Sequence, residues 1–216
     1  MTVGVSSTKI SRLDVGASLY ALIGPLGHAS EVGNFGTVIL VAGGVGTAPV
    51  FPIAKVLHES GNHVITIQGA RTKELVFWDE KLASVSDEHI LTTDDGSAGR
   101  KALVTEPLKE ILDTRRAEVG CVWTIGPAIM MKFCALTTKP YGVKTYASLN
   151  TLMIDGTGMC GGCRCTVGGQ TKFTCCDGPE FDAHEIDWDS VLKRQQMYKC
   201  QEKCAMDRYV ESWQNH

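Results

Sequence analysis

Five of the nine cysteines in this chain of 216 residues crowd into the stretch from Cys160 to Cys176. The run Asp155-Gly-Thr-Gly-Met-Cys160-Gly-Gly-Cys163, followed by Cys175, has the spacing Asp-x4-Cys-x2-Cys-x11-Cys. A plant-type two-iron cluster is held by Cys-x4-Cys-x2-Cys and a distant fourth cysteine, so only the first donor differs. Thiolates are soft donors suited to iron, and glycines between them let the backbone wrap a cluster and aim N–H groups at its sulfurs. A carboxylate also ligates iron, which makes Asp155, Cys160, Cys163 and Cys175 the candidate ligand set. Zinc is the competing reading of Cys-x2-Cys, but a ribbon needs a second spaced pair, which the adjacent Cys175-Cys176 does not easily supply. Reduced structural cysteines are a third reading. Cys165 and Cys176 stand in reserve should Asp155 not ligate. Cys121, Cys134, Cys200 and Cys204 are read as structural, because a buried free cysteine behaves as a small hydrophobe.

A second chemistry sits upstream. After an apolar run comes Gly43-Gly44-Val45-Gly46-Thr47-Ala48-Pro49 and then an apolar-periodic helix. That is where a phosphate-binding turn belongs: glycines admit a pyrophosphate, and a helix N-terminus offers N–H donors and partial positive charge. A tight turn without a ligand would look similar. Pro49 suits a helix start in either case. Gly126-Pro127, ahead of Met130, lies at a strand end beside the first loop, and small residues there leave room for a flat ring. Arg71 falls where a ribose or its 2'-phosphate would lie, or is a solvated strand-end charge.

These residues need a scaffold, and the sequence supplies a pattern for one. Apolar β-rich runs are expected at Thr37 to Ala42, His63 to Gly69, His89 to Thr93, Gly120 to Ile125 and Lys144 to Ser148. Helices are expected between them at Pro49 to Glu59, Lys73 to Ser84, Leu103 to Asp113 and Ala128 to Thr138. Strands that are apolar throughout are buried on both faces, so the pattern predicts an α/β fold: a doubly wound, five-stranded parallel sheet with right-handed crossovers. Residues 1 to 36, rich in Gly, Ser and Val, read as a few antiparallel strands, too few to close a barrel. Residues 150 to 183 read as an irregular ligand-organised loop, and Ser190 to Ser212 as one polar helix. Charged residues make up 21%, and the net charge is -3, which gives no reason to expect nucleic acid or an anionic membrane. No apolar run approaches the roughly 20 residues of a membrane span. A soluble, unexported, cytoplasmic protein is expected.

From about Ser6 to Asp189 the sequence resembles the small-subunit family of NADH-dependent reduced ferredoxin:NADP oxidoreductases, also described as sulfide dehydrogenase subunits. It is more distantly similar to the electron-transfer subunit of dihydroorotate dehydrogenase. The motifs that carry the likeness are Gly24-Pro25-Leu26-Gly27, Gly43 to Pro49, Gly69-Ala70-Arg71, Thr93 to Ser97, Gly126-Pro127, Met130-Met131-Lys132, Ser148-Leu149-Asn150, Asp155 to Cys163, Cys175 and Asp177 to Asp182.

The resemblance implies membership of the ferredoxin-NADP reductase superfamily, in which a flavin-binding β-barrel precedes the nucleotide domain and a two-iron, two-sulfide (2Fe-2S) cluster follows it. It implies aspartate as the first cluster ligand, here Asp155. It also implies a nicotinamide site, for NAD or NADP, along Gly43 to Pro49 and Gly126 to Met130, with Ser7 and Thr8 near the flavin pyrophosphate. On this reading residues 1–36 are a remnant of the FAD-binding barrel, 37–149 the NAD(P) domain, 150–189 the cluster segment and 190–216 a C-terminal helix. The expected activity is electron transfer between NAD(P)H, FAD and the cluster, toward a larger flavin and iron-sulfur subunit, with ferredoxin a further candidate partner. The family carries a longer barrel with an Arg-x-Tyr-Ser-type motif, and this sequence starts after its position. Another polypeptide supplies that part, the gene is truncated, or the subunit binds flavin weakly or not at all. Two rival readings are a dihydroorotate dehydrogenase subunit and a non-catalytic redox-sensing nucleotide module.

Overall fold

A computed structural model describes residues 4–214. Its centre is a sheet of strands β1 (Thr37–Gly43), β2 (His63–Ala70), β3 (Glu88–Thr93), β4 (Arg100–Lys101), β5 (Val119–Ile125), β6 (Lys144–Ser148) and β9 (Glu180–Asp182), in the order β4-β3-β2-β1-β5-β6-β9. The first six pair in parallel, and β9 runs antiparallel to β6. Every residue of β1 is buried, as its unbroken apolar run requires.

Helices cover both faces. Val38, Leu40, Val64 and Trp123 pack with Val50, Ala54 and Leu57 of α2 (Thr47–Glu59) and Leu82 of α3 (Asp79–Ala83). The alternate residues Ile39, Val41, Ile65 and Val122 pack with Leu108, Ile111 and Leu112 of α4 (Thr105–Arg115) and Cys134 of α5 (Ala128–Thr138). The doubly wound architecture therefore holds, with seven strands in the sheet instead of five. The two additions are short. Strand β4 has two residues, and β9 is Glu180-Phe181-Asp182, whose single apolar residue gives no periodic signal.

Three expectations need correction. Among the described residues no strand forms before Thr37; α1 (Gly4–Ser11) is a helix with no buried residue, and it packs on α8 (Lys199–Gln214). A strand needs a partner for its backbone groups, and this stretch, whose Leu13, Val15, Leu19, Leu22 and Ile23 are exposed, pairs with no strand among the described residues. Instead residues 27–31 lie against the sheet edge, where His28 N–H donates to the Gly178 carbonyl at 2.7 Å and Ser30 Oγ donates to Glu180 Oε1 at 2.6 Å. The helix expected over Lys73 to Ser84 breaks at Trp78, whose φ is 56°. There Trp78 packs edge-on to Phe51 of α2, and Lys81 Nζ sits 3.9 Å from the Trp78 ring centroid. The tail splits at Tyr198, φ 66°, into α7 (Trp188–Arg194) and α8. Trp188 and Val191 hold α7 in the core, and Asp187 caps it by accepting from Ser190 N–H at 3.0 Å, a bond of about 1 kcal/mol.

The segment between β6 and β9 is more ordered than a loop. Strands β7 (Arg164–Val167) and β8 (Gln170–Phe173) form an antiparallel hairpin, followed by the single turn α6 (Thr174–Asp177). Both ends of the segment meet on the sheet edge, where Leu149 N–H donates to the Pro179 carbonyl at 2.9 Å. None of the described helices is long and apolar enough to cross a membrane.

Candidate redox site

The carboxyl ends of β1 and β5 lie where chain connections leave them for opposite sides of the sheet, the place at which an open α/β sheet has its crevice. Open α/β sheets bind ligands at such points. Gly44–Gly46 makes a 3-10 turn and α2 begins at Thr47. A Cβ on Gly46 would stand 2.0 Å from the Ile125 carbonyl oxygen, so this glycine lets the two strand ends close on each other. Gly43 and Gly126 meet in the same place, with Met130 against both, and Pro127 is exposed. Neither α2 nor α5 has a side-chain cap, so two helix N-termini open at one crevice. Ala48 and Pro49 lie in the first turn of α2. Arg71, just past β2, is exposed and forms no ion pair among the described residues.

The sequence reading missed Gln68. It is 1% exposed, and its Nε2 donates to Thr47 Oγ1 at 3.2 Å and to the Phe77 carbonyl at 2.9 Å. Its Oε1 is buried with no partner. The available signal was a long amide side chain inside the strand His63–Ala70, one residue before Gly69.

The cysteine segment brings some predicted donors together and leaves others apart. Cys163 and Cys175, 2% and 6% exposed, place their sulfurs 3.2 Å apart. Burial chiefly pushes the Cys163 thiol up. Cys160 is exposed, and its Sγ accepts from Gly162 N–H at 3.3 Å, a contact of the kind that cluster sulfurs receive. The Asp155 carboxylate accepts from Thr157 N–H at 2.8 Å and Cys160 N–H at 2.7 Å. Those bonds, led by that from Thr157, lower its pKa. Among the described residues no three His, Cys, Asp or Glu side chains already stand as a closed metal site. The donor chemistry fits iron: thiols gather on a glycine-rich backbone that offers N–H groups to them.

The reserve cysteines separate. Cys165 faces the core with Phe181, Ile186 and Trp188. Cys176 Sγ lies 3.7 Å from Cys175 Sγ. Cys121 and Cys134 are buried as expected, and burial raises each thiol to about 12. Cys200 and Cys204 are exposed on α8, which corrects their reading as buried hydrophobes. Iodoacetamide at about pH 8 should therefore label Cys200 and Cys204 in the native chain, and Cys121 and Cys134 roughly a thousandfold more slowly. Peptide mass spectrometry reads this, and native labelling of Cys134 at the rate of Cys204 would contradict the packing. Ser7 and Thr8 lie in α1, where their hydroxyls donate back to the Gly4 carbonyl at 3.2 and 2.8 Å.

Helix α5 joins the two regions. Its N-terminus lines the crevice, while Ala128, Met131 and Ala135 pack with Ala147, Cys165 and Phe181. Comparison with known proteins bears first on the cysteine segment. The family described as the iron-sulfur cluster binding domain of dihydroorotate dehydrogenase B matches residues 150–187. A Thermotoga maritima protein named as a homolog of the dihydroorotate dehydrogenase B (NAD(+)) electron transfer subunit is 46% identical, over 97% of this chain and 73% of its own. A Methanocaldococcus jannaschii protein named as a probable dihydroorotate dehydrogenase B (NAD(+)) electron transfer subunit is 35% identical, over 88% of this chain and 69% of its own. A solved structure of NADH-dependent reduced ferredoxin-NADP oxidoreductase, studied for flavin-based electron bifurcation, is 45% identical with a TM-score of 0.88, over 97% and 75%. The cytochrome b5 reductase domain of Ulva prolifera nitrate reductase, 17% identical with a TM-score of 0.51, shares the fold.

Fold and site define an electron-transfer subunit of a flavin and iron-sulfur oxidoreductase. The chain belongs to the dihydroorotate dehydrogenase B electron-transfer subunit family, together with its relative from NADH-dependent reduced ferredoxin-NADP oxidoreductase.

Proposed function

We propose that the chain moves electrons between NAD(P)H at the β1/β5 crevice and a 2Fe-2S cluster held by Asp155, Cys160, Cys163 and Cys175, and passes them to a larger flavin and iron-sulfur subunit. Residues 37–149 serve as the nucleotide unit and 150–189 as the cluster unit. When bound, FAD supplies the conversion between a two-electron hydride and the single electrons that a cluster accepts.

The chain's own residues bind and orient. Backbone N–H groups at the starts of α2 and α5 hold a pyrophosphate, and Gly126-Pro127 leaves space for the nicotinamide ring. Gln68 donates to the oxygen of Thr47, which is fully buried, so the pair braces the first turn of α2 from beneath the phosphate turn. Arg71 meets the ribose or its 2'-phosphate. No side chain acts as general acid or base. Ser7 and Thr8, whose hydroxyls donate to the Gly4 carbonyl within α1, lie near the flavin pyrophosphate on this reading.

The observation that supports this reading best is the shared helix: α5 lines the crevice at one end and carries the cysteine unit on its side. Aspartate in the first donor position favours a ferredoxin:NADP type of chemistry, with bifurcation in the partner, over a dihydroorotate-linked one. Anaerobic purification with iron, sulfide and flavin quantitation tests it, followed by addition of NADH or NADPH. A coloured, iron-loaded protein bleached by one of the nucleotides is expected. A colourless protein with one zinc removes the cluster, and an iron-loaded chain inert to both nucleotides in the presence of FAD favours the redox-sensing module.

A further inference from the structure

The cluster segment offers one donor more than a 2Fe-2S centre takes from its protein. Cys176 follows Cys175 in α6, yet its sulfur turns toward the same space, 3.7 Å from Cys175 Sγ. Two thiolates bound about 2.3 Å from one tetrahedral metal stand roughly 3.8 Å apart, so the Cys175–Cys176 separation suits a shared metal environment. Cys163 and Cys175, at 3.2 Å, are already closer than that.

Cys176 is also pressed against the other arm of the site. Gly158, between Asp155 and Cys160, has a φ of 87°, and a Cβ there would stand 2.6 Å from Cys176 Sγ. The absence of a side chain at position 158 is what admits the sulfur under the Asp155–Cys160 loop. Cys165, the other spare cysteine, is excluded by its place in the core. Asp155, by contrast, is exposed and held from behind by two backbone N–H groups. Asp155 and Cys160 are thus the solvent-facing members of the set, and the half-buried Cys176 thiol lies against Gly158 of the loop that joins them.

We propose that Cys176 is an alternate fourth ligand, able to take the place of Asp155 on the cluster. The exchange breaks one iron–oxygen bond and forms one iron–sulfur bond. The Cys176 thiol proton passes to solvent, and no atom changes oxidation state. The proposal rests on the cluster reading above. It predicts two coordination states, three thiolates with one carboxylate and four thiolates, with different visible and electron paramagnetic resonance spectra.

The full chain and its D155A, C176S and D155A/C176S variants, each purified anaerobically, test it through iron and sulfide per chain and through the reduced-state resonance spectrum. D155A should keep its iron within about twofold and acquire a changed spectrum, while C176S matches the parent. The double variant should lose iron about tenfold or more, the scale of effects on metal affinity. Asp155→Asn, which keeps an acceptor for Thr157 N–H, repeats the comparison with the loop's own bond preserved. An iron-loaded parent with iron-free D155A and Asp155→Asn variants overturns this proposal alone, as does a double variant that retains iron as well as D155A. A parent without iron overturns the cluster reading beneath it.

Discussion

Cys163→Ser should lose bound iron by about tenfold or more while the sheet stays folded, because a hydroxyl is a poor substitute for a buried thiolate at a soft metal. The position is suited to the test: Cys163 is 2% exposed, its sulfur is 3.2 Å from that of Cys175, and it lies outside the two clusters that pack the sheet. Serine is close in volume to cysteine, so packing changes little. Cys134→Ala supplies the contrast. Its thiol is buried against α4 and the sheet, so the variant should lose stability by about 1 kcal/mol and keep its iron. Iron analysis and thermal unfolding on the same samples separate the two. Equal iron in Cys163→Ser and the parent would remove Cys163 from the ligand set.

Substitutions at Gly44 and Gly46, two positions apart, should lose nucleotide binding for different reasons. Gly46→Ala forces a methyl to within 2.0 Å of the Ile125 carbonyl, a backbone atom in a central strand, so β1 and β5 must separate. A loss of about 3 kcal/mol in stability is expected, with nucleotide binding lost as a consequence. Gly44 has φ 53° but nothing within 4 Å of an added Cβ. Asparagine tolerates that conformation, so Gly44→Asn should cost about 1 kcal/mol and fold normally. Its side chain would still stand in the turn where a pyrophosphate approaches, and affinity for NADH or NADPH should fall about tenfold. Unfolding midpoints together with nucleotide titration read both variants. Unimpaired binding by Gly44→Asn would place the nucleotide elsewhere.

The parts legible in the sequence were those whose physics is local. Largely apolar, β-rich runs mark five of the seven strands of this sheet, and the most apolar of them, Thr37–Gly43, is the one buried throughout. Helix α5 spans Ala128–Thr138, the bounds expected from the sequence. What stayed hidden depended on contacts between distant residues. Strand β9 exists because Tyr146, Ala147 and Ser148 offer a free edge to Asp182, Phe181 and Glu180. The interruption at Trp78 reflects an aromatic contact with Phe51, in the preceding helix. In the site, Cys-x2-Cys spacing pointed to Cys160 and Cys163, but spacing could not say which way two adjacent cysteines turn. The inward Cys176 and the core-facing Cys165 became distinct only through Gly158 and the hairpin.

The bond from Leu149 to Pro179 gives the cysteine segment a common point of departure and return. Chain that leaves and rejoins a scaffold at one spot behaves as a cassette, and a replacement must supply the same core-facing residue that Cys165 presents to α5 and Trp188. A graft that exchanges residues 150–178 for a counterpart with another ligand set should therefore retune the electron carrier while the nucleotide half keeps its shape.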